Sequence, residues 1–126
     1  MKKLLIVIML SFFSLVPALA MSFEEAYSQA DKTPMVTLIY AQWADNFQGY
    51  VTSFNTVKEQ LSGSFNFVEL DIASKDAKLF NSKYHIYPNL PYVLMFRDGG
   101  KVSRYVPRDC ALDSACLISK LKSFIQ

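Results

Sequence analysis

The chain has 126 residues, 52% of them hydrophobic, with 13 Lys and Arg against 11 Asp and Glu, a size and balance that suit one globular domain. No Lys/Arg cluster of the kind that tracks phosphates is present, which argues against a nucleic-acid partner. His85 is the single histidine, and Cys110 and Cys116 lack zinc-ribbon spacing, so neither a metal nor another cofactor is expected.

In chain order, the first twenty residues read as an export signal. Lys2 and Lys3 form a short basic region, Leu4 to Leu10 is unbroken apolar sequence, and Ala18-Leu19-Ala20 gives the small-x-small pattern cut by signal peptidase. The alternative is an uncleaved anchor, but Ser11, Ser14 and Pro17 interrupt a stretch already near the lower limit for spanning a bilayer. The expected division is a signal peptide over 1–20 and one domain over 21–126, with no stable membrane insertion after cleavage. Without Lys2 and Lys3 the basic and acidic residues balance at 11 each. The compact basic signal has a bacterial character, which implies a periplasmic or secreted protein.

Ser22-Phe23-Glu24-Glu25 fits a capping box, so a helix is predicted from about 23 to 31, ended by Thr33-Pro34. Val36 to Tyr40 ("VTLIY") is β-branched and apolar enough for a central strand. Asp45 or Asn46 can cap a long helix in which Phe47, Val51, Phe54, Val57 and Leu61 recur at helical steps and face the core. Ser62-Gly63 stops it. Residues 65–73 alternate as a strand, with Phe65, Phe67 and Glu69 on one side and Val68, Leu70 and Ile72 nearer continuous burial. A short helix over about 74–83 leads into an irregular "YHIYPNLP". "YVLMF" (92–96) is another buried strand, and Asp98-Gly99-Gly100 turns it back into "KVSRYV". A final helix closes the chain. The order α-β-α-β-α-β-β-α implies an α/β domain with a mixed sheet of four or five strands and helices on both faces.

That order, with three local signals, resembles the thioredoxin family over roughly the last 90 residues. "YAQWADNF" is similar to the family's aromatic-Ala-x-Trp-Cys-x-x-Cys, "NLPYVLMF" places Pro91 at the family's cis-proline, and "FRDGGKV" matches its hairpin turn. The departures bear on function. The first position after Trp43 holds Ala44, where the reactive thiolate would stand. The resolving cysteine's position holds Phe47, and the buried acid that often shuttles the proton is replaced by Leu38. The resemblance therefore implies the shape without its usual chemistry, which points away from an enzyme at this position. In the family, the cis-proline loop hydrogen-bonds to an extended peptide beside the tryptophan. Trp43, Pro91 and Tyr92 are the candidate contact surface, with Tyr87 and Tyr40 as possible neighbours and plain core packing as the alternative.

In "RDCALDSACLISKL" two caps compete. With Asp109 as cap, both cysteines would lie on one helix about 9 Å of rise apart, too far to bridge. With Asp113 as cap, Cys116 falls in the first turn, Leu112 and Leu117 take the staple positions, and Cys110 sits on an irregular segment able to fold back. In an oxidising compartment that favours a disulfide bracing the last helix. The rival is catalytic: Cys116 as nucleophile near the helix dipole, Cys110 as resolving thiol, and Arg104 and Arg108 adding positive potential. Asp71 and Asp76 make no acid/base pair by spacing, and no glycosylation pattern occurs. Three functions stay open: a redox-silent, chaperone- or adaptor-like binder of an extended protein segment, a thiol-disulfide oxidoreductase, and a structural subunit of an envelope assembly.

Overall fold

The computed structural model describes residues 21–84 and 89–126. The expected signal peptide, His85 and Tyr87 lie outside the described residues.

Helix α1 (Phe23–Ser28) begins where the Ser22 side chain accepts the Glu25 N–H at 3.1 Å, as a cap should. It ends short of residue 31 because Gln29 O accepts from both Lys32 N and Thr33 N, folding the chain into turns before β1. The other elements are β1 (Met35–Tyr40), α2 (Phe47–Leu61), β2 (Asn66–Asp71), α3 (Asp76–Lys83), β3 (Tyr92–Arg97), a 3-10 turn (Asp98–Gly100), β4 (Val102–Val106), α4 (Arg108–Ala111) and α5 (Ser114–Phe124). Strand β2 is narrower than the 65–73 expected, and α3 starts at Asp76, because the side chain and carbonyl of Asp71 bond Ala73 N and Ser74 Oγ and end the strand. The single sheet has the order β2-β1-β3-β4. β1 is parallel to β2 and antiparallel to β3, and β4 returns as a hairpin arm.

Alternation along β1 divides the core in two. Met35 and Ile39 join Phe23, Ala26, Leu70, Phe80 and Phe96 under α1 and α3. Val36 and Leu38 join Tyr50, Phe54, Val57, Leu117 and Leu121 under α2 and α5. The two faces of β2 divide as its alternation predicts, Val68 and Leu70 to the first layer, Phe65 and Phe67 to the second. One expectation changes. Phe47 is only half-buried, and the innermost positions of α2 are Tyr50, Ser53, Phe54 and Val57. The helix is rotated so that Tyr50 goes deep and its hydroxyl accepts from Arg108 Nε at 3.0 Å.

Two contacts close the first layer. Asp76 Oδ2 accepts the Phe23 N–H at 2.6 Å, joining the starts of α1 and α3. At the hairpin, Gly100 (φ 85°) lies against Tyr27, and a Cβ there would stand 2.6 Å from the Tyr27 hydroxyl and 2.8 Å from its ring carbons. Gly100→Ala adds that collision to the ordinary cost of a left-handed residue, so unfolding free energy in urea should fall by roughly 1–3 kcal/mol. An unchanged midpoint would mean that Tyr27 moves aside freely.

Candidate functional site

β1 delivers the chain to the junction that carries the family resemblance. A turn in which Ala44 N donates to Ala41 O at 3.0 Å sends its first and last residues inward and its two central ones outward. Ala41 and Ala44 are accordingly buried, at 1% and 7% exposure, while Trp43 stands 74% exposed. Asn46 takes a left-handed conformation (φ 62°) at the N-terminal boundary of α2 and makes no side-chain cap bond. The cap expected from Asp45 or Asn46 is thus one of position only, for Asn46.

Where the resemblance would place the reactive cysteine, the Ala44 methyl packs into the core layer below α1. Where it would place the resolving one, Phe47 lies flat against Tyr40, with ring centroids 6.0 Å apart and planes within 5°. Leu38 is fully buried. All three positions are filled by apolar groups, and none offers a nucleophile or a proton carrier. The Tyr40 phenol is held above its ordinary pKa of 10.0, first by burial and then by the negative charges of Asp71 and Glu69.

The Leu90-Pro91 bond is cis, and Pro91 is buried. Tyr92 is 6% exposed and belongs to the core layer under α1 and α3, so its ring supports the surface from below and does not form it. Its outer neighbour is Tyr105, 49% exposed, with ring centroids 5.6 Å apart. Tyr105 was not anticipated. It sits opposite Leu94 in the β3–β4 register, on the same face as Tyr92, and only that pairing brings the two rings together. Tyr40 is half-buried beside Phe47.

Val106 pairs with Val93, so β4 ends at the same end of the sheet as Trp43. There Cys110 and Cys116 form a disulfide with Cα atoms 5.0 Å apart. The Asp113 carboxylate caps α5, accepting from Ala115 N at 3.0 Å and Cys116 N at 3.4 Å. Cys110 is not on an irregular segment, as expected, but on the one-turn helix α4. The break between α4 and α5, with Asp113 extended, lets two helical cysteines meet. Cys110 is buried at 6% exposure, and Cys116 packs against the same layer. Leu112, placed by sequence as a staple to Leu117, is 37% exposed and lies by the first turn of α2: its Cδ2 is 3.3 Å from where a Cβ on Gly49 would stand. Arg108 is engaged with Tyr50, and Arg104 Nη1 with the carbonyl of Ser103.

No family model and no curated protein sequence matches the chain. Solved structures do. Chloroplastic thioredoxin z is 16% identical with a TM-score of 0.62, the match covering 84% of this chain and 92% of that one. Thioredoxin f2, from its complex with ferredoxin:thioredoxin reductase, is 18% identical with a TM-score of 0.64, over 82% and 88% of the two chains. The J-Trx1 fragment of ERdj5 is 9% identical with a TM-score of 0.68, over 85% of this chain and 49% of that one.

Two expected outcomes follow from this geometry. Cys110→Ala/Cys116→Ala should lower unfolding free energy by about 2 kcal/mol, since the bridge closes a short loop in the denatured chain; an unchanged denaturation curve would remove its bracing role. The raised pKa of Tyr40 favours the neutral phenol in the folded state. Its stabilisation is complete below pH 10 and lost as pH climbs through the raised value. Tyr40→Phe should therefore flatten the alkaline fall in stability, and an equally steep fall in the variant would refute the assignment.

Sheet order, element order and these likenesses agree: the protein has a thioredoxin-like fold, with Ala44 and Phe47 where the reactive cysteines of that fold would stand.

Proposed function

We propose that this protein is an exported, redox-silent thioredoxin-like domain that holds an extended segment of a partner protein, in the manner of a chaperone or adaptor. The observation that carries the reading is Trp43: the chain's single tryptophan, 74% exposed, directly beside Ala44, whose buried methyl stands where the thioredoxin family carries its reactive cysteine. Covering that ring in a partner would contribute about 4 kcal/mol before the costs of association. Tryptophan is also among the residues that most often dominate binding interfaces. Cis-Pro91 supports the reading, because in the family this proline loop is the peptide-binding strip. Tyr105, 49% exposed over Tyr92, is a second exposed ring, carried by β4. Export is inferred from residues 1–20, and a disulfide is consistent with an oxidising compartment.

The catalytic alternative is weaker on physical grounds. Cys110 is buried, and the Cys116 N–H faces the Asp113 carboxylate, whose charge opposes a thiolate at that helix end. Arg108, the cation invoked to stabilise such a thiolate, is directed to Tyr50. The bridge is best read as the brace that keeps α4 and α5 in place.

The test is binding of a reduced, carboxymethylated protein used as an unfolded probe, followed by anisotropy of a dye on the probe. Trp43→Ala should weaken binding at least roughly 30-fold and leave unfolding free energy within about 0.5 kcal/mol of the parent. Equal affinity in the variant would sink the reading and leave the surface to a structural role.

A further inference from the structure

Between α2 and the segment held by the disulfide lies a groove of about 390 Å³. Gln48, Thr52, Ser53, Thr56 and Ser114 line it with hydroxyl and amide groups, and Leu112 is its one large apolar side chain. No charged residue contributes to its walls. Ser53, at its base, is 5% exposed, and its Oγ has no hydrogen-bond partner among the described residues. A buried hydroxyl left unpaired is costly; in the orientation seen the Ser53 Oγ is closed to solvent, so an incoming donor or acceptor recovers that cost only once the hydroxyl turns toward the groove. The serine hydroxyl can turn between staggered wells to meet one.

Position 49, on the groove wall, is glycine: a Cβ there would stand 2.6 Å from Asn46 Oδ1 and 3.3 Å from Leu112 Cδ2, so a larger residue would collide with the Asn46 side chain and press lightly on Leu112. The loop bearing Trp43 runs directly into the turn of α2 that carries Gln48 and Gly49. Trp43 thus precedes the first lining residue, Gln48, by five positions in the chain, and an extended segment that continues from Trp43 along the start of α2 would reach the groove.

Resting on the binding function proposed above, we propose that the groove is a specificity subsite for an uncharged, hydrogen-bonding side chain (Asn, Gln, Ser or Thr) of the extended segment that crosses Trp43. The lining decides the class. A carboxylate or ammonium would be desolvated with no counter-charge in the walls, and an aliphatic side chain would cover the hydroxyls without pairing them. A polar neutral group pairs with Ser53 and the threonines while its stem rests on Leu112.

The experiment titrates the ¹⁵N-labelled protein with capped peptides of alternating Ala and Val that differ only at the central residue, Asn, Leu or Asp. The Asn peptide should shift the amides of residues 48–56 and Ser114 and bind roughly 3- to 10-fold more tightly than the other two. Ser53→Ala should erase that preference without lowering stability, since it deletes an unpaired hydroxyl. Equal affinity of all three peptides, with shifts confined to the surroundings of Trp43, would overturn the subsite and leave the Trp43 reading standing. Groove shifts that persist unchanged in Trp43→Ala would keep the subsite and overturn that reading. Absence of shifts at either place overturns both. Maltose moving the groove amides where the peptides do not would overturn the peptide assignment in favour of a neutral saccharide.

Discussion

β1 is hydrogen-bonded on both sides and covered on both faces, and this double constraint organises the molecule. Met35 to Ile39 are all buried, so the strand cannot slip by one residue without exchanging the contents of the two core layers. Its parallel partner β2 must return through α2, and its antiparallel partner β3 brings cis-Pro91 to the strand's C-terminal end, where Trp43 emerges. The location of the candidate site is therefore a consequence of core packing. Nothing in the exposed loop itself has to encode it.

At that location, apolar side chains fill the positions where the thioredoxin fold carries its reactive groups. A thiolate needs partial exposure and positive potential, and a proton-carrying acid below it must be buried at some cost to stability. Ala44, Phe47 and Leu38 remove both demands. Ala44 and Leu38 become ordinary core groups, and Phe47 shields one side of Tyr40. What the scaffold keeps is a projecting tryptophan over a rigid base.

A second constraint acts on the opposite layer. The helical path is interrupted at Leu112 and Asp113, and the disulfide holds the two pieces at an angle that a continuous helix would forbid. Leu112 then reaches the first turn of α2 over Gly49. The same bridge that braces α5 thus forms one side of the groove above Ser53. Stability and surface shape at this end of the sheet depend on one covalent link.

Much of the fold was legible in the sequence because it is written in short periods: alternation in "FNFVELDIA", helical recurrence in α2, the glycine turn of the hairpin, and the Asp113 cap. The replacement of the reactive residues was legible too, since Ala44 and Phe47 occupy recognisable positions beside Trp43. Other features depend on distant contacts. The rotation of α2 that buries Tyr50 and leaves Phe47 at the margin follows from packing against α5 and from the bond to Arg108. Tyr92 reads both as the start of a buried strand and as part of a contact surface beside Pro91; α1 and α3 cover its face of the sheet and sink its ring, which decides for the first. Tyr105 and the groove at Ser53 exist only once β4 pairs with β3 and the disulfide brings Leu112 to α2. The sequence by itself determined which residues want burial and that Ala44 and Phe47, not cysteines, stand beside Trp43, because those are properties of side chains and their spacing. Which apolar rings stay outside, and which polar groups end up facing one another across a groove, only the tertiary structure decided, because both depend on contacts between segments far apart in the chain.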